Sequence, residues 1–157
     1  MSTGDSDEFE AGRAALDQGD VNGALIHLTR AIEADSKNVA AHLMVGRCFA
    51  AARRFPQAIQ VYSALVLRPE LRDHAELPVD ELDSLVTSSL LGWAADIERA
   101  GFPQQHLDLF SRSADFYLRA LGRHTVEIVG LTEGLKNRFP VGEIFAERIR
   151  EKMKPNA

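Results

Sequence analysis

The feature that most limits what this chain can become is a recurrence of residue types at a lag of 34 positions. Gly12 maps onto Gly46, Ala15 onto Phe49, Ala24 onto Ala58, Leu28 onto Tyr62 and Ala31 onto Leu65. Small residues at fixed offsets within apolar stripes, at that period, belong to helical hairpins that stack on one another. Two antiparallel helices come close only where a side chain is nearly absent. Gly12 with Ala24, and Gly46 with Ala58, are therefore the expected contact points, while Leu28 and Tyr62 fill the space towards the next hairpin.

The elements follow from the punctuation. Met1 to Asp7 lacks the apolar content to pack and is expected to be a disordered tail. Phe9 to Gln18 reads as a helix stopped by Gly19, and Asn22 to Ala34 as its partner, with Ala24, Leu25, Leu28, Ala31 and Ile32 at helical spacing. Val39 to Ala52 and Pro56 to Leu67 form the second pair, Pro56 sitting where a first-turn proline is tolerated. Beyond Glu70 the period breaks, and residues 71–79 are extra. Asp80 then resembles a helix N-cap ahead of a stripe of Leu82, Leu85, Val86, Leu90, Trp93, Ala94 and Ile97, ended by Gly101. A sixth helix carries Leu107, Phe110, Ala114, Tyr117, Leu118 and Leu121 on one face and stops at Gly122. Phe102-Pro103 and Phe139-Pro140 echo Phe55-Pro56. Aligning the last pair with the first sets Gly130 opposite Gly46 and Gly142 opposite Ala58, so Thr125 to Lys136 and Val141 to Met153 read as a degenerate last hairpin.

On these positions residues 8–70 resemble two tetratricopeptide repeats. The departures from that pattern are Glu8 and His42 in the place of a large apolar residue, Ala15 in the place of an aromatic, and Ser36 in the place of the terminal proline. The resemblance implies an all-α, right-handed superhelical solenoid of about four antiparallel hairpins and about eight helices. A single domain over residues 8–154 is expected, with repeats near 8–37, 39–70, 80–122 and 123–154.

Catalytic signatures are missing from the sequence. The five histidines have no metal-ligand spacing, and no phosphate loop, dinucleotide turn or nucleophile elbow occurs. Cys48, the one cysteine, excludes an internal disulfide and reads as a buried core residue. No enzyme activity, cofactor or metal is therefore expected. No apolar run approaches the ~18 residues of a membrane span, and the acidic, polar start does not read as a secretory leader. A cytoplasmic location follows as an expectation, without membrane insertion. The net charge of −5 argues against general nucleic-acid binding.

That charge is uneven. Between Ser36 and Pro69 there is no Asp or Glu, whereas Lys37, Arg47, Arg53, Arg54 and Arg68 fall there, and the flanks are acidic. Two readings stand: a mixed solvated surface, or a basic middle unit that attracts an acidic partner. By resemblance, the first helix of each hairpin lines the concave side, which places Phe9, Arg13, Leu16, Leu43, Arg47, Ala50, Ala51 and, further on, Leu91 in a groove. Arg13 and Arg47 are equivalent one repeat apart and suited to gripping carboxylates. The clamp with which co-chaperone members of the family hold chaperone C-termini is absent, since Phe9, Arg13, Met44, Ser88 and Gly92 stand at its positions. The expected function is a non-enzymatic adaptor or scaffold holding a partner peptide or helix, acidic or amphipathic, in that groove. The alternatives are a dedicated chaperone of exported or assembly subunits, and a homo-oligomeric, self-assembling scaffold.

Overall fold

Several helix starts and stops have a local cause. The structure is a computed structural model that describes residues 3–68, 79–122, 126–138 and 151. Its first four helices are α1 (Thr3–Asp17), α2 (Val21–Ala34), α3 (Val39–Ala51) and α4 (Phe55–Leu67). α1 begins at Thr3, within the stretch whose composition predicts a tail. At its other end Gly19 takes φ 80°, and the Asp20 N–H closes back on the Ala15 carbonyl at 2.9 Å. That is the left-handed stop for which glycine is suited. Asp20 then caps α2, its carboxylate accepting from the Gly23 N–H at 3.0 Å, and Asn38 caps α3 through the Ala41 N–H in the same way. One repeat later the stop recurs with different chemistry. Arg53 holds φ 58°, and the Arg54 N–H reaches the Phe49 carbonyl at 2.8 Å. Arg54 offers α4 no side-chain cap, and Pro56 in the first turn serves instead.

The chain divides into two compact units, Met1–Pro78 and Val79–Ala157, where the sequence reading expects a single domain. The division falls where the period of the repeat breaks. In the first unit, successive helices pack as α1 on α2, α2 on α3 and α3 on α4, and α1 also touches α3. Ala24, Leu28, Ala31, Ala41 and Cys48 form a fully buried cluster against which Phe9, Leu16, Met44 and Val45 lie half-buried.

The glycines set the spacing. A Cβ on Gly12 would stand 2.7 Å from Leu28 Cγ, and one on Gly46 only 2.6 Å from Tyr62 Cζ. The residue that enters each glycine's gap is thus the large one sixteen positions on, Leu28 or Tyr62, beside the buried Ala24 and Ala58. Gly12 also sits against the backbone: its Cβ would lie 3.3 Å from the Ala24 carbonyl oxygen.

The second unit contains α5 (Val79–Arg99), α6 (Gln104–Leu121) and α7 (Val126–Lys136). Asp80, expected to cap, lies inside the first turn of α5. Gly101 and Gly122 take φ 81° and 78° and stop α5 and α6. Leu82, Val86, Leu90, Trp93 and Ile97 of α5 are buried, as are Leu107, Phe110, Ala114 and Tyr117 of α6. The Trp93 and Phe110 rings meet at 5.2 Å between centroids, tilted by 54°. The Tyr117 hydroxyl donates to the Asp83 carboxylate, tying α6 to α5. α7 packs on both through Ile128, Leu131 and Leu135. Residue 151 apart, the expected last helix, with Gly142, lies outside the described residues. All seven of these helices are α, and no strand occurs among the described residues.

Candidate functional site

On α1, Phe9, Arg13 and Leu16 recur at helical spacing, and on α3 so do Leu43, Arg47, Ala50 and Ala51. Because α1 touches α3, these two rows belong to neighbouring helices. Their exposure divides them. Arg13, Arg47 and Ala51 are exposed, while Phe9, Leu16 and Ala50 are half-buried, Phe9 and Leu16 being packed against the core cluster. Leu43 is a correction: at 8% exposure it belongs to the core, not to a binding surface. The reason is that α3 contacts α1, α2 and α4 at once, so its buried face is wider than the stripe of a one-sided helix. Leu91 is half-buried on α5, in the second unit. Of the packing residues, Gly12, Ala24, Gly46, Ala58 and Tyr62 are buried and Gly130 is half-buried.

The positions that depart from the repeat pattern carry polar links. Glu8 on α1 meets His27 Nδ1 at 2.7 Å and Arg30 at 3.7 Å, both on α2. His42, the equivalent of Glu8 one repeat on, lies with Nε2 3.1 Å from the Ser36 carbonyl and 3.3 Å from Arg68 Nη1. Arg68 Nη1 itself donates to the Ser36 carbonyl at 3.2 Å. These contacts compete: Nε2 donates to Ser36 only when it carries hydrogen, and accepts from Arg68 only when it does not. Burial, helped by the Arg68 charge and opposed by the Ser36 hydrogen bond, holds the His42 pKa below its ordinary value.

Cys48 is fully buried, and burial pushes its thiol pKa up, away from the reactive thiolate. Among the described residues no group of His, Cys, Asp or Glu is arranged to hold a metal ion, and no helix is long and apolar enough to cross a membrane.

The second hairpin of the first unit is cationic, although Asp and Glu outnumber Lys and Arg over the unit as a whole. Arg47, Arg53 and Arg54 are exposed along the end of α3, in a hairpin whose span from Ser36 to Pro69 contains no carboxylate. The Arg53 guanidinium lies 5.2 Å over the Phe55 ring. Hairpins joined end to end, with a glycine under Leu28 and another under Tyr62 at the same lag, match a known family. Residues 9–74 fit the family model of the tetratricopeptide repeat. That match covers most of the first unit. No curated protein and no solved structure matches the chain. Tetratricopeptide repeats generally mediate protein–protein interaction.

Exposed apolar side chains escaped the sequence reading. Ile26 on α2 is 55% exposed, and with Leu25, Thr29, Arg30 and Glu33 it lines a shallow cleft of about 360 Å³. Leu109 and Phe116 on α6 are 38% and 50% exposed. The signal available was their position off the buried stripe of each helix, a place where an apolar residue contributes nothing to the core.

Proposed function

We propose that the tetratricopeptide unit is an adaptor that holds an acidic segment of a partner protein across α1 and α3. The observation that carries this reading is the placement of Arg13 and Arg47. They are exposed, they occupy equivalent positions one repeat apart, and the helices that bear them touch. A guanidinium binds a carboxylate through two parallel hydrogen bonds, so two such groups on adjacent helices select an extended chain with spaced Asp or Glu.

Burial of Leu43 and partial burial of Phe9 and Leu16 shift the balance of this surface from apolar to cationic. The turn after α3 supports the same reading. Where the first repeat has Gly19 and Asp20, a good helix stop and a good cap, the second has Arg53 and Arg54, which are neither. A left-handed non-glycine residue costs about 1–2 kcal/mol, and a lost cap about 1 kcal/mol. Positive charge is thus kept at this end of α3 against local stability.

The test is a titration followed by fluorescence anisotropy, with one labelled peptide that alternates glutamate and leucine and a second that alternates lysine and leucine. The acidic peptide is expected to bind and the basic one not. Arg13→Glu and Arg47→Glu should each weaken binding about tenfold, with unchanged far-ultraviolet circular dichroism. Equal binding of both peptides, or binding that survives both substitutions together, would reject the surface.

A further inference from the structure

The outer face of α6 carries an exposed apolar stripe bordered by alternating charges. Seven residues is close to two full turns, so Leu109 and Phe116 lie only about 20° apart around the helix. Both are exposed large apolar residues, and Gln105 continues their line. One flank of this stripe carries Asp108, Arg112, Asp115 and Arg119 in that order, all four exposed. At 100° per residue they fall within about 60° of one another, on the same side of the stripe. Asp108 also accepts a hydrogen bond from Gln104 at 3.0 Å, which holds it along the helix surface.

The order of signs is negative, positive, negative, positive. Reversed end to end, it becomes its own complement. A two-fold axis between residues 113 and 114, perpendicular to the helix and lying in the contact plane, relates two antiparallel copies and keeps each flank facing the same flank of its mate. Asp108 then faces Arg119 of the second copy, and Arg112 faces its Asp115, so symmetry generates four opposed pairs. In that register Leu109 and the Phe116 of the second copy are staggered by about 3 Å along the axis, a spacing at which the two side chains interlock. A parallel pairing about an axis along the helices would put the two charged flanks on opposite sides of the contact and leave these charges unpaired.

We infer that α6 is an isologous interface through which two copies of this chain associate, antiparallel, about that axis. This goes beyond the partner surface on α1 and α3 and does not depend on it. A contact made by one helix from each copy belongs to the small, transient class of interfaces, so weak, concentration-dependent association is expected.

Light scattering coupled to size-exclusion chromatography of the full chain, over a range of concentrations and at low salt, tests it. The expected result is a mass that rises with concentration towards twice that of the chain and falls back when salt is added. Phe116→Glu, at a half-exposed site, should raise the dissociation constant at least about a hundredfold, by placing a charge in the apolar centre of the contact. Arg112→Asp and Asp115→Arg should each raise it about tenfold, because each reversal sets two like-charged pairs face to face. The double variant R112D/D115R should restore dimerisation, since exchanging the signs recreates both pairs across the axis. Circular dichroism of each variant checks that α6 remains helical. A monomer at every concentration would overturn the inference and leave the stripe to a different protein. A dimer that the double variant does not restore would overturn the antiparallel register.

Discussion

The two units solve the same packing problem in opposite ways. In the first, helices approach over glycines, with Leu28 and Tyr62 lying where the Cβ of Gly12 and Gly46 would stand. In the second, α5 and α6 are held apart and joined by bulk, the Trp93 and Phe110 rings in contact and Tyr117 hydrogen-bonded to Asp83. A glycine contact fixes one helix separation, which is what a repeating stack requires. An aromatic contact fills whatever separation exists and need not recur. The first unit keeps its period for that reason, and the second departs from it.

The comparison breaks most visibly if atoms are added to one unit and removed from the other. Trp93→Ala should destabilise the second unit by about 4 kcal/mol through the cavity it leaves. In the first unit the damaging change is the gain of a methyl group. Gly46→Ala should cost about 3 kcal/mol, because the rigid Tyr62 ring must move, whereas Gly12→Ala should cost about 2 kcal/mol, since the buried Leu28 has less far to shift but the Ala24 carbonyl also stands close. Hydrogen exchange resolved by residue reads the effect on each unit separately. A Gly46→Ala protein as stable as the parent would remove the spacing argument.

A smaller effect, of opposite sign, tests the two repeats of the first unit against each other. Transplanting the first turn onto the second, as Arg53→Gly with Arg54→Asp, restores the left-handed glycine and a capping carboxylate for α4. Stability should rise by about 1–2 kcal/mol, after allowance for the lost contact of Arg53 with the Phe55 ring. Urea denaturation measures it, and the same variant should bind the acidic peptide less well. Stabilisation without loss of binding would separate the turn from the partner surface.

The smallest effect concerns the positions where Glu8 and His42 replace an apolar residue. The folded chain holds the His42 proton less readily than the unfolded chain, whose value is near 6.5. Its contribution to stability is therefore complete above that pH and is lost as pH falls through the depressed folded value. Protonated His42 can still donate to the Ser36 carbonyl but can no longer accept from Arg68. His42→Gln should flatten the dependence of stability on pH in the mildly acidic range, as thermal melts at a series of pH values would record.

Much of the fold was legible in the letters, because the forces that encode it are local. Gly19, Gly101 and Gly122 stop helices in the conformation their missing side chain permits. Apolar residues at helical spacing mark α2 and α4 within a residue of their bounds, and α5 and α6 within about three. The candidate site was legible in part: Arg13 and Arg47 as a pair one repeat apart, but not which of their neighbours stay in contact with water. Exposure belongs to the packed structure. Leu43 and Ala51 stand on the same helix with similar credentials, yet contact with several helices buries one and leaves the other in solvent. Likewise the entrance of Leu28 and Tyr62 into the glycine gaps, and the self-complementary face of α6, arise only once neighbouring helices have fixed which sides remain open. Sequence periodicity determines which residues share a face of a helix; tertiary packing decides which faces remain free to bind, because burial is a property of neighbours that lie far apart along the chain.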